Sequence, residues 1–250
     1  MARLDIIMQG SSFRTNLATL GICTIALIRE KDNLLVDTGH FGTRRQVLKG
    51  LELLGLAPRD IERVILTHAH WDHALNLELF SHATVLINAK ELAHVNSVKG
   101  DDWATSGVLR LIMEKMRVQT TEGDEELSKD VTVVETAGHS PGHQSVLVTT
   151  QTGKTLLSGD AMPTLRSYLS GLPDYITTSE EEARRSIEKL KMLRPDVYYP
   201  GHDRPFRITN GEAEYVGQSE LKVIFRRETE ENFSIMLSTE ISEKPEKVQS

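Results

Sequence analysis

Thr67-His68-Ala69-His70-Trp71-Asp72-His73 follows directly on the apolar run Arg63-Val64-Ile65-Leu66. The run is short and β-branched, which reads as a buried strand. The histidine-rich stretch is then the loop at that strand's C-terminal end, where α/β layers place their sites. Four donors (His68, His70, Asp72 and His73) fall within six residues. Imidazole nitrogen and carboxylate oxygen are the donors that borderline divalent ions such as zinc prefer. The density of donors marks a metal-binding loop.

Outward from this loop, the same phrase of apolar strand and glycine-led polar turn recurs. A strand over 131–135 leads to Gly138-His139-Ser140-Pro141-Gly142-His143. Residues 155–158 lead to Gly159-Asp160, and residues 197–199 to Gly201-His202-Asp203. A glycine before each donor suits a sharp turn and a close backbone approach to an ion. Further strands are expected at 4–8, 22–29, 33–37, 83–88 and 144–149. Helical periodicity covers 43–54 and stops at Gly55, with Pro58 beyond. Thr178 and Glu181 fit a capping box that opens a helix to Leu193, ended by Pro195.

Residues 91–128 are less regular. A helix is expected over 108–118, carrying Met113 and Met116, with Trp103 just before it. Two readings stay open: a cover for a substrate pocket, or ordinary core packing. The tail over about 211–250 reads as helical, and no linker or repeat divides the chain, so one domain over 1–250 is expected, its core at about 4–207.

The net charge of −7 offers no general attraction for a polyanion and disfavours nucleic acid. The longest apolar stretch, around 22–28, is too short to span a bilayer, and no secretory leader is visible. The single cysteine, Cys23, cannot form an internal disulfide, which fits a reducing cytoplasm.

Taken together, Asp37-Thr38-Gly39, His68-x-His70-x-Asp72-His73, Gly138-His139, Gly159-Asp160 and Gly201-His202 resemble the metallo-β-lactamase superfamily over about residues 15–207. The resemblance implies an α/β fold, a four-layer αββα sandwich of two mixed sheets flanked by helices. It implies two divalent metal ions, zinc first and iron or manganese as alternatives. His68, His70 and His139 correspond to ligands of one metal, and Asp72, His73 and His202 to ligands of the other, with Asp160 bridging. Asp37 corresponds to a carboxylate that orients a ligand histidine, and His143 is read as a supporting residue that binds no metal.

The implied chemistry is hydrolysis of a small ester, thioester or lactone by a hydroxide shared between metals about 3.5–4 Å apart. Asp72 and Asp160 are its catalytic carboxylates. Glyoxalase II and the acyl-homoserine-lactone lactonases share all seven ligands. The lactonases, however, carry a tyrosine three residues beyond the bridging aspartate, and this chain has Pro163 there. Tyr168 and Tyr175 are candidates to replace it. Trp71 is expected at the pocket rim, and Arg204 and Arg207 are candidates for gripping an anionic group. A phosphodiesterase or nuclease on the same metals is one alternative, and an iron-dependent persulfide dioxygenase, needing only a His-His-Asp triad, is another. The expected partner is a small molecule, with a homodimer suggested by the family.

Overall fold

Period-two alternation decides how the strands are buried in this computed structural model, which describes residues 1–14, 19–97 and 102–217. In the strand Ile25–Arg29, Ile25 and Leu27 join one core while Ala26 and Ile28 join another. Val64 and Ile65 divide the same way, as do Val85 and Ile87 against Leu86. Successive side chains of a strand point to opposite faces, so a strand apolar on both faces must lie between two layers.

Six strands form the first sheet, in the spatial order Arg3–Met8, Ile25–Arg29, Asn33–Val36, Arg63–Ile65, Thr84–Asn88 and Arg117–Thr121. The first three pair antiparallel and the rest add in parallel. A second, seven-stranded sheet runs from Glu212–Tyr215 through Phe206–Thr209, Val197–Pro200, Gly153–Gly159, Gln144–Thr150 and Val131–Glu135 to Glu125–Ser128. Its one parallel pair, Gly153–Gly159 with Val197–Pro200, is bridged by the helix Glu180–Met192. Both sheets are therefore mixed.

Val131, Val133, Val146, Val148 and Leu157 of the second sheet meet Ala26, Ile28, Leu34, Val36, Ile65 and Leu86 of the first in one dry layer. Full burial of such a side chain contributes about 1.5–3 kcal/mol. On the outer face of the first sheet lie Val47 and Leu51 of the helix Arg44–Leu53, Val95 of Ala89–Ser97, and Leu109 and Met113 of Gly107–Met113. On the outer face of the second lie Ile187 and Leu190. The layers run helix, sheet, sheet, helix, which is the expected αββα sandwich.

Several local expectations need correction. The predicted strand over 22–29 is two strands, broken at Cys23 and Thr24. There the Thr24 N–H donates to Gly201 O at 2.8 Å and its hydroxyl to Pro200 O at 2.6 Å. The helix expected over 108–118 stops at Met113, because Arg117–Thr121 finds a better partner at the sheet edge beside Thr84–Asn88. The helix expected to cap on Thr178 caps on Ser179, whose hydroxyl accepts from Glu182 N. The beginning of the predicted helical tail is a strand, Glu212–Tyr215. The remainder of that expectation, from residue 218, lies outside the described residues.

No helix among the described residues is long and apolar enough to cross a membrane.

Candidate metal centre

The strands Asn33–Val36, Arg63–Ile65, Val131–Glu135, Gly153–Gly159 and Val197–Pro200 are each followed directly by a loop that carries site residues. These loops bring together Asp37, the stretch 68–73, His139, Asp160 and His202. Three overlapping groups have donor atoms within 4.8 Å of one another: His68, His70 and His139; His68, His73 and Asp160; and Asp72, His73 and His202. His139 Nε2 lies 2.9 Å from His70 Nδ1 and 3.4 Å from Asp160 Oδ2. His202 Nε2 lies 3.1 Å from Asp160 Oδ2, 3.3 Å from Asp72 Oδ2 and 3.3 Å from His73 Nε2. All seven donors named from the sequence thus converge on one place.

The outer hydrogen bonds of the imidazoles decide which nitrogen faces inward. His73 Nδ1 bonds Asp37 Oδ2 at 2.8 Å, His139 Nδ1 bonds Tyr175 O at 2.9 Å, and His202 Nδ1 bonds Ile22 O at 3.1 Å. Thr67 donates its hydroxyl to Asp37 Oδ2, so Thr67 Oγ1 in turn accepts from His68 Nδ1 at 3.0 Å. Each of these rings keeps its hydrogen on Nδ1 and turns Nε2 toward the cluster.

His68 Nε2 and Asp160 Oδ1 are buried and have no hydrogen-bond partner. A buried polar atom left unpaired costs about 1–3 kcal/mol. Lone pairs from five imidazoles and two carboxylates aimed at one another fit cations.

Electrostatics agree with this fit. Burial opposes charge on His73 and His202, but their anionic neighbours, Asp160 first among them, together outweigh it and raise the pKa of both. Burial likewise pushes the Asp160 carboxyl up, yet His202, His73 and His139 hold it well below the usual range. Without a cation these side chains neutralise one another with protons. Metal entry must displace those protons, so binding is coupled to their release.

His143 stands behind this shell. Its Nε2 accepts from the backbone N–H of Asp160 at 2.9 Å and of Ala161 at 3.1 Å, while Nδ1 bonds Thr136 Oγ1 at 2.8 Å. Burial, with His139 next, holds its pKa well below normal and so keeps it neutral and able to accept. Close approach also explains Gly201. A Cβ there would lie 2.0 Å from Asp160 Oδ1 and 2.9 Å from Gly159 O. Gly201→Ala is therefore expected to displace Asp160 and lower turnover by about 10²-fold. Metal content and rate, measured together, check this; wild-type values for both would refute it.

A cleft of about 240 Å³ opens over the cluster. Its walls include Trp71, Trp103, Ala104, Pro163 and Tyr175 together with the polar Ser12, Thr164 and Asp174, and no Lys or Arg is among its described lining residues. The Tyr175 ring stands 5.7 Å from His139 and 5.9 Å from His70. Trp103 is 73% exposed and forms the outer lip. Of the segment 91–128, then, Trp103 and Ala104 line the site, while Leu109 and Met113 pack into the core.

Three residues proposed from the sequence lie elsewhere. Tyr168 packs edge-on against Tyr198 and Phe206 under the Lys191 ammonium. Arg204 stacks on Tyr215 at 3.8 Å, and Arg207 pairs with Glu214 at 3.0 Å. All three are absent from the cleft walls, because their side chains serve the outer face and edge of the second sheet.

Sequence reasoning also passed over groups that matter. His94 donates to Asp102 Oδ2 at 2.8 Å. Asp102 Oδ1 accepts from the N–H groups of Ala104 and Thr105 and lies 3.9 Å from His70 Nε2. Burial pushes the Asp102 carboxyl up, but the His94 and Thr105 hydrogen bonds outweigh it and hold it at about 2. The His94–Asp102 hydrogen bond thus anchors the cleft wall beside a cluster histidine. Nothing in the local pattern pairs His94 with a residue eight positions on.

Comparison with known proteins agrees with the geometry. The family profile described as metallo-beta-lactamase superfamily matches residues 18–202. The chain is 32% identical over 187 residues to metallo-beta-lactamase domain-containing protein 1 of Xenopus laevis, covering 74% of this chain and 72% of that protein. It is 31% identical over 158 residues to an N-acyl homoserine lactonase of Bacillus cereus, covering 61% and 60% respectively. A crystal structure of a quorum-quenching N-acyl homoserine lactone lactonase is similar with a TM-score of 0.67 at 25% identity, covering 80% of this chain and 91% of that one.

Proposed function

Because the chain belongs to the metallo-β-lactamase superfamily and is a metal-dependent hydrolase, we propose that it holds two divalent ions, zinc first, and cleaves a small uncharged ester, thioester or lactone. One observation carries this reading: five of the seven clustered metal-type donors line a cleft whose described walls are mainly apolar or aromatic, with Ser12, Thr164 and Asp174 as further polar groups and no Lys or Arg. A phosphodiester keeps a negative charge that enzymes commonly meet with Arg or Lys. A neutral acyl group asks only for apolar contact.

Two divalent ions bound there would supply an acidified water at neutral pH and polarise the substrate carbonyl. The chain's own groups do the rest. His68, His70 and His139 would hold one ion and Asp72, His73 and His202 the other, with Asp160 between them. Asp72, whose Oδ2 lies 3.3 Å from His202, orients the attacking water and receives its proton. Trp71 and Trp103 bind the apolar part of the substrate and exclude bulk water from it.

Pro163 lines the cleft, so no phenol comes from that position. Tyr175 offers one from the facing loop. Burial, then the Asp102 charge, raises its pKa, so it stays protonated and able to donate to the departing oxygen. Cys23 is buried and free, in keeping with a cytoplasmic home for the protein.

The test is a panel of acyl-lactones, thioesters and a chromogenic phosphodiester offered to zinc-loaded protein, with Asp160→Ala as control. Turnover of the carbonyl substrates is expected, with the phosphodiester at background. Turnover of the phosphodiester alone would overturn the reading.

A further inference from the structure

Glu91 is a fully buried carboxylate that the chemistry above does not use. It sits in the first turn of the helix Ala89–Ser97, yet its side chain leaves the helix and spans two loops. Oε1 accepts from Ala69 N at 2.9 Å, the amide between His68 and His70. Oε2 accepts from Gly142 N and from Ser140 Oγ, both at 2.8 Å, in the loop that carries His139.

The contact is specific. A Cβ at Gly142 would lie 2.1 Å from Glu91 N and 2.7 Å from Glu91 Cα, so only glycine lets this loop reach the helix. Both carboxylate oxygens are consumed by backbone donors, one in each loop. A neutral amide in the same place would have to turn an N–H toward an N–H.

Resting on the reading that His68, His70 and His139 hold one cation, we propose that Glu91 is a positioning residue for that half of the centre. It ties the loop of His68 and His70 to the loop of His139 and so sets the spacing of the three imidazoles before metal arrives. Groups that orient ligands from outside the ligand set typically carry 10–100-fold in metal affinity. The mechanical reason is plain, because ligands held at the required spacing need no ordering on binding.

The experiment titrates metal-free protein with zinc against a chromophoric chelator, which resolves two affinities without any substrate. Glu91→Gln is expected to weaken one of the two by roughly 10–100-fold and to leave the other near wild type. Thermal melts of the metal-free proteins report folding separately. Ser140→Ala, which withdraws one donor and keeps both backbone bonds, is expected to weaken the same site by a smaller factor. Unchanged affinities in whichever of these variants folds would overturn the proposal. So would equal loss at both sites in step with a lowered melting temperature, since that is general destabilisation. Wild-type protein that binds no zinc would instead overturn the proposed function.

Discussion

Asp160→Ala is expected to reduce bound metal from two ions per chain to one and turnover by roughly 10³-fold, the upper scale of losing a stabilising group at a reacting centre. The reason lies in what the carboxylate touches. Oδ2 stands 3.1 Å from His202 Nε2 and 3.4 Å from His139 Nε2, and Oδ1 stands 3.4 Å from His73 Nε2. It thus adjoins histidines of both proposed half-sites, and its negative charge would offset two bound dications. The fold should survive, because the backbone N–H of residue 160 still donates to His143. Metal analysis and steady-state rates on the purified variant decide the matter. Two ions and a wild-type rate would sink the dinuclear reading.

Asp37→Asn is the second large effect expected, and it works through a proton. Asp37 Oδ1 accepts from Thr67 N, while Oδ2 accepts from the Thr67 hydroxyl and from His73 Nδ1, all at 2.8 Å. An asparagine has one oxygen. Keeping it on the Thr67 amide turns an NH₂ toward His73 Nδ1 and favours the tautomer protonated on Nε2. That nitrogen is the one that faces the cluster. Metal affinity at the His73 half-site should fall about 10–100-fold with little change in fold. Chelator competition measures the affinity, and NMR of the ring nitrogens reads the tautomer. An unchanged tautomer with unchanged affinity would dismiss Asp37 as an orienting group.

Legibility followed the range of each signal. Continuous apolar runs such as 25–28 and 85–87 are local, and they announced strands. The metal donors were legible for a related reason: each follows a strand, and turn chemistry there is written within a few residues. Edge strands were not. Arg117–Thr121 is mostly exposed on one side, and only pairing with Thr84–Asn88 makes it a strand. Glu125–Ser128 and Glu212–Tyr215, the edges of the second sheet, owe their state to neighbours in the same way.

Side chains that act at a distance divide along the same line. Tyr168 and Tyr175 are both tyrosines in the stretch beyond Asp160, and nothing in the sequence separates them. The structure puts Tyr175 beside His139 and buries one face of Tyr168 against Tyr198 and Phe206. Arg204 and Arg207 lie two and five residues beyond His202, yet their charges are directed to Tyr215 and Glu214. Glu91 looks like any solvated helix glutamate until the Gly142 backbone closes over it.

The sequence by itself determined the apolar strands and the donor-bearing turns that follow them, since periodicity and ligand type are properties of short segments. The four-layer sandwich and the set of seven donors were implied by resemblance to a known family. Only the tertiary structure decided which aromatic wall faces the donors and which buried carboxylates hold the loops in register. Those are contacts between residues tens of positions apart, and their energies exist only once the chain has closed on itself.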